Sequence, residues 1–178
     1  MITFETKKDL LQYLPEIRPK YRNYDPYKGL DHIGENERED PCHFGYSLLR
    51  EISDTPGMEI ASHSFSHFYC LENTVKDAFK SDLEASKNSF ERLGFIPKSY
   101  VFCRNQYDQE SLDALRVFGF NSFRGNESSY LYRAHKNRQS LMVRAGRLLD
   151  SCIDLSGANI CKPEWAYHDL LNISSSRF

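Results

Sequence analysis

The sequence predicts an α/β fold in a single domain. Three short apolar segments are predicted strands, at residues 58–63, 99–103 and 120–125, and segments with helical periodicity separate them. The order strand, helix, strand, helix, strand is typical of a parallel sheet covered by helices. At 178 residues, the chain is long enough for one domain with a substantial buried core. Residues 1–178 are therefore assigned to one domain.

Two short helices are predicted ahead of the first strand. Residues 7–14 end at Pro15, and residues 44–57 end at Gly57. Both segments carry apolar residues at helical spacing, namely Leu10, Leu11, Leu14, Leu48, Leu49 and Ile52. Between the two helices, residues 31–41 contain five acids against one arginine. That composition predicts an acidic, solvated loop or insertion.

The longest predicted helix covers residues 74–94. Thr74 and Asp77 have the spacing of a capping box, and Gly94 is the expected stop. The apolar face of this helix consists of Val75, Phe79, Leu83, Ser86, Phe90 and Leu93. Further along, Asp108 is placed to cap a helix over residues 108–119. Residues 141–155 predict a helix that runs into a strand.

Composition argues against several classes of function. The formal net charge is −2 with a pI near 6.3, and the Lys and Arg residues are scattered, which predicts no nucleic-acid partner. No segment approaches the ~20 apolar residues of a membrane helix, and residues 1–11 lack the pattern of a signal peptide. The cysteines show no C-x-x-C spacing and are Cys42, Cys70, Cys103, Cys152 and Cys161. We therefore expect a cytoplasmic protein with reduced thiols and no membrane segment.

A pair of histidines follows the first predicted strand. His63 and His67 are four residues apart, so on a helical turn both imidazoles would lie on one side and could bind one zinc ion at ~2.0–2.1 Å. The alternative is that both are ordinary polar residues of a loop. A zinc protease of the H-E-x-x-H type is excluded, because Ser64 occupies the position of its glutamate. Ligands collect where strands end in parallel α/β folds, and this placement favours the metal site.

Residues 59–67, EIASHSFSH, closely resemble a known family motif. They are similar to the second motif of the polysaccharide deacetylases, the NodB-homology carbohydrate esterases, in which a strand runs into His-Ser/Thr-x-x-His. In that family the two histidines bind a divalent metal, usually zinc. The resemblance therefore implies that His63 and His67 are metal ligands.

Residues 102–107, FCRNQY, resemble the third motif of the same family, whose common form is Arg-Pro-Pro-Tyr. The resemblance implies that Arg104 orients a catalytic aspartate and that the backbone near Tyr107 helps to hold the oxyanion. Asn105 and Gln106 stand where the family has prolines. This departure affects the expected rigidity of the loop and its fit to substrate.

The resemblance also implies a fold and an activity. The fold would be a distorted (β/α) barrel, here partial and incomplete at both ends. The activity would be metal-dependent N-deacetylation of an acetylated amino sugar in a surface polysaccharide or its precursor. The chain contains no Asp-Asp pair, and no Leu-x-His follows its long predicted helices as the late family motif requires, while Glu5 in residues 3–6, TFET, has no second carboxylate beside it. We therefore interpret the chain as a central fragment of such a domain, and expect it to self-associate through uncovered sheet edges.

Two alternatives remain open at this point. One is a catalytically inactive carbohydrate-binding or interaction module that retained the fold. The other is a metal-free α/β domain in which His63 and His67 only hydrogen-bond the loop backbone. The remaining histidines carry no predicted role; they are His32, His43, His135 and His168.

Overall fold

The computed structural model describes residues 3–126, 141–153, 162–167 and 169–174. Within these ranges the helices are α1 (Lys7–Gln12), α2 (Tyr46–Asp54), α3 (Ala78–Glu91), α4 (Gln109–Val117) and α5 (Leu141–Cys152). The strands are β1 (Ser99–Val101), β2 (Ser122–Arg124), β3 (Glu164–Tyr167) and β4 (Leu170–Asn172). Short 3₁₀ turns cover Leu30–His32 and Cys103–Asn105. The predicted α/β class is confirmed.

The four described strands form one mixed sheet in the order β1-β2-β4-β3. β1 pairs with β2 in parallel, and β2 pairs with β4 in parallel. The α4 helix makes the crossover between β1 and β2, as a parallel pair requires. β3 and β4 form an antiparallel hairpin that sequence periodicity did not predict. The barrel geometry implied by the resemblance is not established by this sheet.

The first predicted strand is reduced to a single bridge. Residues 58–61 are not strand, and only Ser62 pairs, in parallel, with Tyr100 of β1. Ser62 N–H donates to Ser99 O at 2.9 Å, and Val101 N–H donates to Ser62 O at 2.8 Å. The chain therefore leaves the sheet directly after Ser62, at the first of the two histidines.

The long helix begins later than its capping pattern predicted. Asp77 adopts a left-handed conformation with φ of 57°, and its carboxylate binds Lys80 at 3.0 Å. The predicted capping box of Thr74 and Asp77 is therefore wrong, and α3 starts at Ala78. At α4 the prediction is confirmed, because Asp108 accepts a hydrogen bond from Ser111 N–H at 3.0 Å.

Aromatic side chains dominate the core. The larger cluster lies between the sheet and helices α3 and α4, and its members include Leu83, Tyr100, Phe102, Leu115, Phe123 and Leu170. A second cluster, formed by Phe4, Leu10, Ile33 and Phe44, lies under the N-terminal helix. Phe65 packs on this second cluster. The loop that carries the histidines therefore contacts the second core directly.

Helix α5 and the residue after it expose several large apolar side chains, namely Leu141, Met142, Leu148, Leu149 and Ile153. Because exposed apolar surface favours association, we expect the mass measured by sedimentation to rise with protein concentration. The double substitution Met142→Glu and Leu148→Glu should shift the protein toward the monomer. A monomer at all concentrations would contradict the predicted self-association.

Among the described helices, none combines the length and apolar character needed to cross a membrane.

Candidate metal centre

The loop after Ser62 brings the two predicted ligands together. The ring centroids of His63 and His67 are 5.0 Å apart, and both residues are exposed. The segment between them is a non-helical turn, because Ser64 and His67 have φ values of 67° and 57°. The left-handed region is costly for residues with a Cβ atom. Surrounding contacts must therefore hold this turn in place.

The serines of the histidine loop supply part of that support. Ser62 Oγ lies 3.0 Å from Ser86 Oγ in the buried interface with α3. Ser64 Oγ accepts a hydrogen bond from Phe68 N–H at 2.8 Å, which closes the turn. Phe65 meets Phe4 edge to face, with ring centroids 5.9 Å apart. The loop is thus attached to α3 on one side and to the N-terminal core on the other.

Asp82 is the central support of the histidine loop, and sequence reasoning missed it. This fully buried residue of α3 accepts hydrogen bonds from Phe65 N–H and Ser66 N–H, each at 2.9 Å, and from the Ser66 hydroxyl. Burial raises the pKa of the Asp82 carboxyl to about 6, although the three donors oppose the shift. A charged residue on the apolar face of a predicted helix was the available signal, because buried carboxylates are rare unless they have partners.

Hydrogen bonding leaves imidazole nitrogens available to a metal. His63 Nδ1–H donates to the carbonyl oxygen of Val101 at 2.8 Å, so the lone pair of the neutral ring is on Nε2. His67 Nδ1 lies 3.1 Å from Tyr69 OH, which leaves its Nε2 uncommitted to that contact. Metal-bound histidines commonly engage the other ring nitrogen in this way. Partial burial, His63 and Arg104 together lower the pKa of His67, which favours the neutral form that binds metals.

A third candidate ligand, Cys103, joins the pair. The ligand atoms of His63, His67 and Cys103 lie within 4.8 Å of one another. Cys103 is fully buried, and its thiol donates to His63 O at 3.4 Å. Burial raises the pKa of this thiol. Its position at the end of the predicted strand 99–103 was the signal in the sequence, since strand ends of a parallel sheet meet at one edge.

Arg104 lies beside this cluster and binds a carboxylate other than an aspartate. Its guanidinium stacks over Tyr69 at 4.0 Å and pairs with Glu72 at 3.0 Å, with over half of the Arg104 side chain exposed. Gln106 donates to the same Glu72 oxygen at 2.7 Å. The Tyr69 ring in turn contacts His67 at a centroid distance of 5.2 Å. Arg104 therefore reaches the histidines through Tyr69.

Tyr107 is directed toward the main core. Its ring packs on Phe102 at 5.1 Å and on Phe123 at 5.3 Å. Its hydroxyl accepts a hydrogen bond from Asn126 N–H at 3.3 Å. Tyr107 does not line the cavity beside the histidines. The oxyanion role implied for the backbone at this position remains a prediction.

A cavity of about 430 Å³ opens beside the histidine loop. Its walls include His63, His67, Tyr24, Tyr27, Thr3 and Phe4. Thr3 and Phe4 precede Glu5, which is exposed and does not line the cavity. Among the described residues, no carboxylate lines this cavity. The pocket wall therefore combines aromatic and apolar side chains with the two imidazoles and several hydroxyl groups.

The remaining histidines lie apart from this centre or outside the described residues. His43 pairs with Asp40 at 2.8 Å on the surface, and His32 is exposed in a 3₁₀ turn. His135 and His168 fall outside the described part of the chain.

Comparison with known proteins leaves the site to be interpreted from its own geometry. No family model, no curated protein and no solved structure matches the chain. The link to the polysaccharide deacetylases accordingly depends on the motif residues alone.

Proposed function

We propose that this chain carries the metal-binding part of a polysaccharide deacetylase-like domain, which removes the acetyl group from an acetylated amino sugar by metal-dependent hydrolysis. The observation that carries the proposal is the paired imidazoles at a cavity, with His63 held by a backbone carbonyl and its Nε2 available. We also propose that the fold is a distorted barrel. Its parallel pairs would be Ser62 with β1, β1 with β2, and β2 with β4.

The residues present fit a divalent metal such as zinc. Imidazole nitrogen is a preferred zinc ligand, and the two rings are close enough for one ion. When bound, the metal would polarise the amide carbonyl and lower the pKa of a bound water. His63 and His67 would hold the ion, and the cavity walls would orient the sugar and exclude bulk water.

Arg104 would position a carboxylate near the reaction. Amide hydrolysis needs a base that takes a proton from the attacking water and an acid that protonates the leaving amine. Glu72 is the described carboxylate that Arg104 binds, at 3.0 Å, but it does not line the cavity, so the base is not among the described cavity residues. Among the described residues that line the cavity, none is placed to act as the acid that protonates the leaving amine.

A second candidate function is favoured by the lack of carboxylates in the described cavity walls. In this alternative the chain binds an acetylated amino sugar beside the metal and does not hydrolyse it. The exposed Tyr24 and the half-buried Tyr27 would supply apolar contact to a sugar ring.

Acetate release from an N-acetylglucosamine oligosaccharide tests the two candidates. We expect zinc-loaded protein to release acetate and chelator-treated protein to release none. Arg104→Ala should lower kcat about 100-fold through loss of positioning, whereas Arg50→Ala, an exposed arginine of α2, should not change it.

Calorimetric titration with the same oligosaccharide separates the outcomes. Zinc-dependent binding without acetate release would support the binding module and reject the deacetylase. Neither binding nor release would contradict both candidates.

A further inference from the structure

We propose that Cys103 is the third protein ligand of the metal, so that the centre is a His₂-thiolate site with one position open. The inference deepens the proposed function and rests on metal binding by His63 and His67. It assigns chemistry to a buried thiol that the motif resemblance left without a role.

Strand pairing brings Cys103 to the histidines. Ser62 and Val101 are joined by a backbone hydrogen bond of 2.8 Å in a parallel arrangement. The two segments then leave the sheet at the same edge, one into His63 and the other into Cys103. The positive φ of Arg104, 53°, turns the chain sharply just after Cys103. The thiol is thereby placed under the histidine loop, in contact with His63 O and Ser64 Oγ.

The distances suit a tetrahedral ion after a small closure. Zn–N bonds of ~2.0–2.1 Å and Zn–S bonds of ~2.3 Å place ligand atoms about 3.3–3.6 Å apart. One ring nitrogen of His63, one ring nitrogen of His67 and the sulfur of Cys103 lie within 4.8 Å of one another. A closure of about 1 Å, which small side-chain rotations can supply, would bring them to bonding separations. On binding, the metal–sulfur bond replaces the S–H bond, and the proton passes to solvent.

Asp82 is the obvious competitor for the third position, but its oxygens are already used. Both carboxylate oxygens accept hydrogen bonds from the loop, from Phe65 N–H, Ser66 N–H and the Ser66 hydroxyl. Ligation by Asp82 would break the contacts that hold the histidine turn. Among the described residues, the only set of three potential ligand side chains within this range is His63, His67 and Cys103.

A thiolate ligand changes which metals the centre accepts. Two imidazoles and one thiolate favour zinc and cobalt, whereas magnesium, calcium and manganese prefer oxygen ligands. Three protein ligands leave a fourth tetrahedral position for water or substrate, which is the arrangement of catalytic zinc sites. The centre is thus complete in protein ligands within the described residues.

X-ray absorption spectroscopy of the zinc-loaded full chain tests the assignment without mutation. We expect one sulfur scatterer at ~2.3 Å beside nitrogen scatterers at ~2.0–2.1 Å. The cobalt(II) form should show intense sulfur-to-metal charge-transfer absorption in the near ultraviolet. Removing an outer contact of a metal site typically lowers metal affinity 10- to 100-fold, and removing a direct ligand should lower it further. Cys103→Ser and Cys103→Ala should therefore each weaken zinc binding by about 100-fold or more.

The exposed Cys42 provides the matched control. Cys42→Ser should retain zinc affinity and the charge-transfer band, since Cys42 lies on the surface away from the cluster. A wild-type spectrum with only nitrogen and oxygen scatterers would overturn the Cys103 assignment while leaving His63 and His67 as ligands. Failure of the wild type to bind zinc or cobalt at all would overturn this inference and the proposed function together.

Discussion

Replacing Asp82 with alanine is expected to lower the free energy of unfolding by about 3 kcal/mol or more, because hydrogen bonds to a charged group contribute about 1.5–3 kcal/mol each. Three donors of the histidine loop, Phe65 N–H, Ser66 N–H and the Ser66 hydroxyl, would lose their acceptor. Urea denaturation measures the change. Zinc affinity should fall as well, since the turn between His63 and His67 would no longer be held.

Glu84→Ala is the matched control for this substitution. Glu84 is an exposed carboxylate of the same helix, two residues from Asp82. Exposed substitutions of this kind usually change stability by less than about 0.5 kcal/mol. Equal losses for Asp82→Ala and Glu84→Ala would show that the Asp82 contacts do not support the loop.

The pH dependence of stability should also identify Asp82. Its pKa is raised from 3.8 to about 6 in the folded protein, so the folded state binds more protons than the unfolded state between these values. The contribution of the Asp82 carboxyl to the free energy of unfolding therefore falls as the pH rises from about 4 to about 6. Above that range this contribution is constant. Asp82→Asn cannot titrate, so the stability of the wild type relative to this variant should fall over the same interval. A rise would mean that the three hydrogen bonds outweigh burial.

Zinc affinity is expected to fall by about 100-fold or more in His63→Ala and in His67→Ala, because each substitution removes a direct ligand. Loss of an outer contact alone lowers metal affinity 10- to 100-fold in metal sites. The two ring centroids are 5.0 Å apart, close enough for both imidazoles to bind one ion. Competition with a chromophoric chelator measures the affinities. Each variant should bind more weakly than wild type by a similar factor.

His43→Ala is the control for the histidine variants. His43 is an exposed histidine that pairs with Asp40 at 2.8 Å and does not belong to the cluster. The zinc affinity of the His43→Ala variant should equal that of the wild type. If all three histidine variants bound zinc equally, the metal would be held by nonspecific surface groups, and the assignment of His63 and His67 would be wrong.

Local sequence signals predicted the helices well where a cap acts through neighbouring residues. Asp108 caps α4 through Ser111, three residues away. Asp77 had equivalent spacing from Thr74, yet it adopts a left-handed conformation and pairs with Lys80. The hairpin of β3 and β4 gave no clear signal, because its strands have only four and three residues and the first three residues of β3 are all exposed.

The sequence by itself determined the α/β class, the position of the histidine pair at a strand end, and the assignment of His63 and His67 as candidate ligands. These features depend on residues that are neighbours in the chain. Only the tertiary structure decided that Cys103 and Asp82 belong to the same site. The pairing of Ser62 with β1 brings Cys103 under the loop, and the packing of α3 delivers Asp82 to the loop backbone. Hydrogen bonds between distant segments cannot be inferred from spacing, because their geometry exists only after the sheet and helix have packed.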